Sequence, residues 1–405
     1  MSEAQERQVR RRRVFYIPGY DPIHPRRYRE LYRKEGAAQA AISGYEIALA
    51  PKTTRGRYGW HVTGAIEGGA TEADVEVLVW SDIVRGSMDA GIAGTYLQLV
   101  QTAWIYIASG ALRRLMWLRK GPVIAALYPV GMLLAQLGLA VLLGWAVGAL
   151  VAAVLPGVLG WIAAAPVIWG VLRWFRARDN RFFAYYLMHD YAFSARWRGA
   201  NPPELEARMA EFTAIIAAAL RDDVDEVLVV GHSSGAHLAV SILADLIRQG
   251  SVPANGPALS FLSLGQVVPM VSFLPEAWRL RADLHFLSQR SELAWVDVTA
   301  PGDGCAFALC DPVAVSGVAP ATGKRWPLVI SAAFTQTLAP ETWKALRWRF
   351  FRLHFQYLCA FDRPGDYDYF RITAGPRTLG ARFAGRSASK SRIDVAASRY
   401  TSMAA

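Results

Sequence analysis

Four consecutive apolar residues, Val227 to Val230, lead straight into Gly231-His232-Ser233-Ser234-Gly235, and an Ala/Leu-rich run with helical spacing follows to Leu246. That order predicts a buried strand, a sharp turn and a helix, with no proline between them. The same pattern recurs along the chain. Val14 to Ile17 reads as a short buried strand that ends at Pro18-Gly19-Tyr20, and Pro25 to Ala41 as a polar-faced helix. Ile42 to Leu49 and Gly59 to Ile66 are strand candidates on either side of a Gly/Arg-rich loop. Val75 to Trp80 is a clearer strand, Tyr96 to Leu118 has helical spacing, and Pro203 to Leu220 is a helix with prolines and glutamates at its start. Leu293 to Val298 reads as a further strand, followed by Ala300-Pro301-Gly302-Asp303-Gly304. The alternation of strand and helix around Ser233 predicts an α/β fold with a mostly parallel sheet and helices on both faces.

One stretch breaks the rhythm. From Gly121 to Leu172 there is no charged residue, whereas a single membrane crossing needs only about 20 apolar residues. Two crossings fit, so the stretch is expected to be a transmembrane helical hairpin inserted into the fold. Its helices are expected at about Val123 to Leu143 and Val147 to Leu172, with a turn near Gly144 to Gly148 and kinks at Pro156 and Pro166. A buried apolar helix pair and a re-entrant hairpin are the alternatives. Arg113, Arg114, Arg119 and Lys120 precede it and Arg173, Arg176 and Arg178 follow it. By the positive-inside rule both ends, and with them the α/β domain and both termini, are expected on the cytoplasmic face. The Arg- and aromatic-rich segment after the hairpin, up to Trp197, is expected at the membrane interface. The chain thus divides into 1–120, the first part of the α/β domain; 121–172, the hairpin; 173–380, the remainder with the Ser233 turn; and 381–405, a flexible tail.

Composition sharpens this picture in three places. Apolar residues make up 53% and the net charge is +11, a surplus compatible with an anionic membrane surface. Nucleic-acid binding is not expected, because the Arg-rich segments carry no recognised binding motif and are interrupted by the apolar hairpin. The cysteines Cys305, Cys310 and Cys359 are odd in number and lack C-x-x-C spacing, so neither a disulfide framework nor a zinc site is indicated, and no cofactor is expected. The start is charged and lacks the apolar core of a secretory signal; Arg10 to Arg13 are either a solvated arm or a headgroup contact. Arg325, Arg347, Arg349 and Arg352 either meet an anionic head group or coat the surface.

The candidate chemistry starts at Ser233. A serine at the apex of a strand-turn-helix exposes its hydroxyl above the sheet, and Gly231 and Gly235, two residues to either side, let strand and helix pass closely. The alternative is an ordinary turn with a capping serine. A serine hydroxyl is inert near neutral pH without a base, and the base in turn is held by an acid. When acid and base follow the serine in that order, His354 is the base, since His237 lies one helical turn along and His285 precedes the best acid candidates. Asp303 is the leading acid because it lies in a loop beyond the carboxyl end of a strand; Asp297, inside that strand, is the runner-up, and Asp311 lies in a later turn. Gly19 and Tyr20, in the loop after the first strand, are candidates for the oxyanion hole.

With these residues in view, the chain resembles the α/β-hydrolases, and among them the class 3 lipases and their bacterial lipase-like, membrane-anchored relatives. VLVVGHSSGAHLA, from Val227, is similar to their nucleophile elbow, with His232 before the serine; APGD resembles their acid loop, and LHFQYL their H-x-x-Y. The resemblance covers the elbow to His354 and the FYIPGY strand; the hairpin and the basic start lie outside it. It implies an α/β-hydrolase-like sheet, an acyl-enzyme on Ser233 with Asp303 and His354 as partners, and the N–H of Ser234 as an oxyanion donor beside that of Tyr20. The expected activity is hydrolysis of a carboxylic ester, either lipid or small molecule. A catalytically inactive scaffold of the same fold and an acyltransferase or peptidase with the same triad are the competing readings. Oligomeric state is not legible in the sequence.

Overall fold

The computed structural model describes residues 8–52 and 54–405. Met1 to Arg7, the first part of the charged start, lies outside them. Eight strands form one sheet in the order β2-β3-β4-β1-β5-β6-β7-β8. They are β1 (Arg11–Ile17), β2 (Glu46–Pro51), β3 (Gly59–Ile66), β4 (Gly69–Val77), β5 (Glu226–His232), β6 (Ala258–Leu264), β7 (Leu293–Thr299) and β8 (Leu328–Ser331). β2 and β3 run antiparallel at one edge, and every pairing from β4 through β1 to β8 is parallel. The protein is therefore α/β with a mostly parallel sheet.

Before β5 the helices are α1 (Arg26–Ser43), α2 (Ser81–Ser87), α3 (Ile92–Ala108), α4 (Ala111–Leu118), α5 (Lys120–Ala152), α6 (Gly157–Ala177), α7 (Asp179–Phe182), α8 (Ala184–Arg196) and α9 (Pro203–Ala219). α10 (Ser234–Arg248) follows β5 directly. The central strands are buried on both faces, and their residues alternate between two cores. Phe15, Ile17, Val227 and Val229 pack with α9, α10 and the helix Trp278–Leu287. Val14, Tyr16, Leu228 and Val230 pack with Tyr28 and Tyr32 of α1 and with Phe370 and Ile372. Period-2 alternation between two covered faces is what a parallel sheet requires.

This arrangement places a topological switch point between β1 and β5. α1 leaves β1 on one face and α10 leaves β5 on the other, so the carboxyl ends of these neighbouring strands open a crevice. Ile17 pairs with Gly231, which brings the Pro18-Gly19-Tyr20 turn against the Ser233 turn.

Three expectations are corrected. The hairpin is present as α5, 33 residues, and α6, 21 residues, both long and apolar enough to cross a membrane. Its turn, however, lies at Ala153–Pro156 and not at Gly144 to Gly148. Gly144 and Gly148 are interior positions where the helices meet: a Cβ added at Gly148 would lie 2.8 Å from the Gly160 carbonyl oxygen. Pro156 caps α6 and does not kink it, whereas Pro129 and Pro166 lie inside the two helices. Second, Arg12 and Arg13 are neither a solvated arm nor free for headgroups. Arg12 is 1% exposed and donates to Glu226 at 2.6 Å and to the carbonyls of Gly375 and Arg377; Arg13 pairs with Glu76 and Asp222. Third, the segment 381–405, expected as a flexible tail, is tied down. The Ile393 N–H donates to Leu309 O at 2.7 Å, Asp311 N–H to Ile393 O at 2.8 Å, and Arg281 Nε to Ser402 O at 2.7 Å. Arg325, Arg347, Arg349 and Arg352 are exposed.

Candidate active site

β5 runs into α10 through Ser233, whose backbone sits at φ 56°, ψ −122°. A non-glycine residue there is strained by more than 1 kcal/mol and is held only by its surroundings. Those surroundings are tight. A Cβ at Gly235 would lie 2.1 Å from Ile17 O, so only glycine lets α10 cross the end of β1 at this height. At Gly19 a Cβ would lie 2.9 Å from the Ser233 Cβ and 3.4 Å from its Oγ. The first loop therefore lies directly on the serine because it carries no side chain there.

His354 ends the short helix Phe350–His354, 121 positions along the chain, yet lines the same cavity as Ser233. Its Nδ1 donates to Asp303 Oδ2 at 2.7 Å. The same Oδ2 accepts from Tyr357 Oη at 3.0 Å, and Oδ1 accepts from the Cys305 N–H at 2.9 Å. With both oxygens occupied, Asp303 cannot rotate and holds one imidazole orientation. Burial pushes its carboxyl up, but the adjacent His354, the Cys305 N–H and the Tyr357 hydroxyl outweigh this and hold it below the usual carboxylate range. The opposite ring nitrogen, His354 Nε2, is buried and has no hydrogen-bond partner among the described residues. A base aimed into a cavity that also exposes a serine hydroxyl leaves just such an unpaired nitrogen.

His232 supports this wall. Its Nε2 donates to the His354 backbone oxygen at 3.0 Å, the two rings are 4.9 Å apart, and burial lowers its pKa to about 3, so it stays neutral. At the other end the N–H of Ser234 belongs to the first turn of α10, where no helical acceptor exists. The N–H of Tyr20 likewise has no acceptor among the described residues. The Tyr20 side chain is fixed by Ser87, and its carbonyl accepts from Tyr186 Oη at 2.5 Å.

The runner-up acid is elsewhere. Asp297 is fully buried in β7 and accepts from Ser263 Oγ at 2.5 Å, with no contact to His354. Asp311 caps the helix Pro312–Val315. His237 is buried on α10 and pushed down to about 4 by that burial, and His285 is bonded to Val318 O. Burial raises Asp297 to about 8, so it is protonated in the folded chain at neutral pH and ionised in the unfolded one. A group held protonated by folding releases its proton on unfolding, so its contribution to stability falls as pH rises between about 4 and 8. Asp297→Asn is expected to flatten the fall of the thermal midpoint between pH 6 and 8. Unchanged pH dependence in that variant rules out this role.

Asp303, Cys305 and His354 present ligand-type atoms within 4.8 Å of one another. Two of the three are already bonded to each other, and burial pushes the Cys305 thiol well above its usual value, so it offers no ready thiolate. The set suits a hydrogen-bonded acid-base pair better than a metal.

The cavity, about 460 Å³, is walled by both strand-end loops, by the hairpin feet at Pro122 and Asp179, and by α8. α8 was legible only as an Arg- and aromatic-rich interfacial segment; its Tyr186, Asp190 and Tyr191 reach the site because the chain folds back beneath the hairpin. Comparison with known proteins places the chain in no family: no family model, no curated protein and no solved structure matches it.

Proposed function

We propose that the protein is a membrane-anchored serine hydrolase of the α/β-hydrolase type that cleaves a carboxylic ester of lipid character. The observation that carries this reading is the strained Ser233 turn opening on one cavity with His354, whose far nitrogen is held by Asp303 and whose near nitrogen is free. In the proposed reaction His354 Nε2 takes the Ser233 proton as Oγ attacks the carbonyl carbon. The resulting oxyanion is received by the N–H groups of Tyr20 and Ser234, which carry no other bond. Asp303 stabilises the imidazolium, which then protonates the leaving alcohol. Water, deprotonated by the same nitrogen, releases the acid and restores Ser233.

The lipid character rests on position. The cavity wall includes the first turn of α5 and the segment after α6. Beside it lie exposed Trp348, Phe350, Phe351 and Phe183, 36 to 73% accessible. α3, which packs against α8 and shares a buried cluster with α5 and α6 through Leu99, turns Leu97, Val100, Trp104 and Ile107 outward. Arg113 over Trp117 and Arg178 over Trp174 put basic-aromatic pairs at both feet of the hairpin. With these cations on the inner side, the catalytic domain and both termini face the cytoplasm.

The test is labelling of the detergent-solubilised protein with a fluorophosphonate probe, which reacts only with an activated serine. Labelling of the parent and its loss in Ser233→Ala is the expected result. An unlabelled parent with native circular dichroism overturns the proposal.

A further inference from the structure

Three carboxylates line the cavity, Asp21, Asp179 and Asp190, none of them the acid that holds His354. In two of them each oxygen accepts a hydrogen bond. Asp21 accepts from Tyr28 Oη at 2.7 Å and from the Ile23 N–H at 2.9 Å. Asp179 accepts from the N–H groups of Tyr185 and Tyr186, each at 2.9 Å. Asp190, on α8, accepts no hydrogen bond from any described residue and is in no ion pair. The cation in the cavity wall, Arg27, is turned away from it, with its guanidinium 4.9 Å from the Phe355 ring and 3.9 Å from Asp21.

A carboxylate has room for about four hydrogen bonds, and this one, half-buried in the cavity wall, receives none from a described residue, so its acceptors are open to whatever occupies the cavity. Its neighbours do not relieve it. Burial pushes its pKa up to about 7, with only His354 opposing, and its charge in turn disfavours ionisation of Tyr20, Tyr106, Tyr186, Tyr191 and Cys305. Among these, Tyr186 already spends its hydroxyl proton on Tyr20 O, Tyr20 is engaged with Ser87, and Tyr106 donates to Met270 O. No described residue donates to this acid, and the acid shares its cavity with the serine and the histidine.

We propose that Asp190 selects the substrate: its carboxylate receives a hydrogen bond from a hydroxyl or ammonium group that the ester carries close to its scissile carbonyl. The inference rests on the hydrolase reading of Ser233 and narrows it to esters with a donor on the alcohol portion, such as partial glycerides or amino-alcohol esters. A fully apolar ester leaves the acid unpaired in the complex, and it must then stay protonated or remain desolvated at a cost.

The test uses three esters of one acyl chain, ethyl decanoate, glycerol monodecanoate and 2-(dimethylamino)ethyl decanoate, with full-length protein in detergent. The readout is the ratio of kcat/KM for each donor-bearing ester to that for the ethyl ester, which a general loss of stability does not move. Asp190→Leu is expected to lower the ratio at least tenfold for the ester class the site is built for. Asp190→Asn, which keeps an acceptor without a charge, separates the sources: it preserves the ratio for a hydroxyl donor and loses it for an ammonium donor. It also keeps the test open should the leucine variant fail to fold. Ratios unchanged in both variants overturn the proposal. So does a parent that is labelled by fluorophosphonate yet prefers the ethyl ester, an outcome that leaves the nucleophile standing. A parent that is not labelled removes the underlying reading instead.

Discussion

Replacement of His354 by alanine is expected to lower turnover of a short-chain p-nitrophenyl ester by roughly 10⁴- to 10⁶-fold, with circular dichroism and thermal midpoint close to the parent's. Under the proposed reading His354 is the base, and its Nε2 is buried with no hydrogen-bond partner among the described residues. Asp303→Asn is expected to cost about 10⁴-fold through loss of imidazole orientation and of charge opposite the imidazolium. Asp297→Asn should leave turnover within a few-fold of the parent, because that acid is bonded to Ser263 inside the sheet. Equal losses in the two aspartate variants would contradict the assignment of Asp303.

Removal of Arg12 is expected to have the largest effect on folding, about 3 to 5 kcal/mol in Arg12→Ala by denaturant unfolding. Arg12 and Glu226 are both fully buried, and Arg12 is the cation that meets this carboxylate. Glu226 Oε1 is already used by Ser260 Oγ at 2.6 Å and the Leu379 N–H at 2.7 Å, so the variant leaves a hydrogen-bonded but uncompensated charge between β1 and β5. The double variant Arg12→Met, Glu226→Leu should recover much of the loss, since two apolar side chains avoid the desolvation of both ions. A single-variant loss under about 1 kcal/mol would exclude the pair as a stabilising element.

How much of this was legible in the residues depended on the range of the interaction. β1, β2, β3, β5, β7 and the Ser233 turn are written in local patterns and lie within a few residues of their expected positions, whereas β6 and β8 were not read from the sequence. β4 is shifted towards Gly69 because pairing with β3 from Ile66 to Gly69 extends it beyond its apolar part. His354 and Asp303 could be picked by chain order, and the 2.7 Å contact joins them. Arg12 and Asp190 could not. Arg12 sits in a run of arginines and Asp190 in an aromatic segment with no other Asp, Glu, Lys or Arg between Arg181 and Arg196, and only distant parts of the fold, Glu226 for one and the cavity for the other, distinguish each from a solvated side chain. The hairpin turn was misplaced for a related reason. The midpoint of the uncharged span falls near Gly144 to Gly148, but α5 is the longer helix, so those glycines serve close helix packing and Pro156 marks the reversal.

The place of β1 between β4 and β5 also has a temporal side. β1 meets β4 within the first part of the chain, but its other edge waits for β5, and Arg12 for Glu226, 214 residues later. At ribosomal rates of about 5 to 20 residues per second, that edge stays open for roughly 10 to 40 s, the interval in which α5 and α6 leave the ribosome. An unpaired parallel strand is sticky. Synthesis of the hairpin therefore falls between that of the two halves of the sheet, and the loop that covers Ser233 is made long before the serine itself. Until both halves join, no nascent chain carries the strained turn, so the Ser233 site is assembled only after the hairpin has been synthesised.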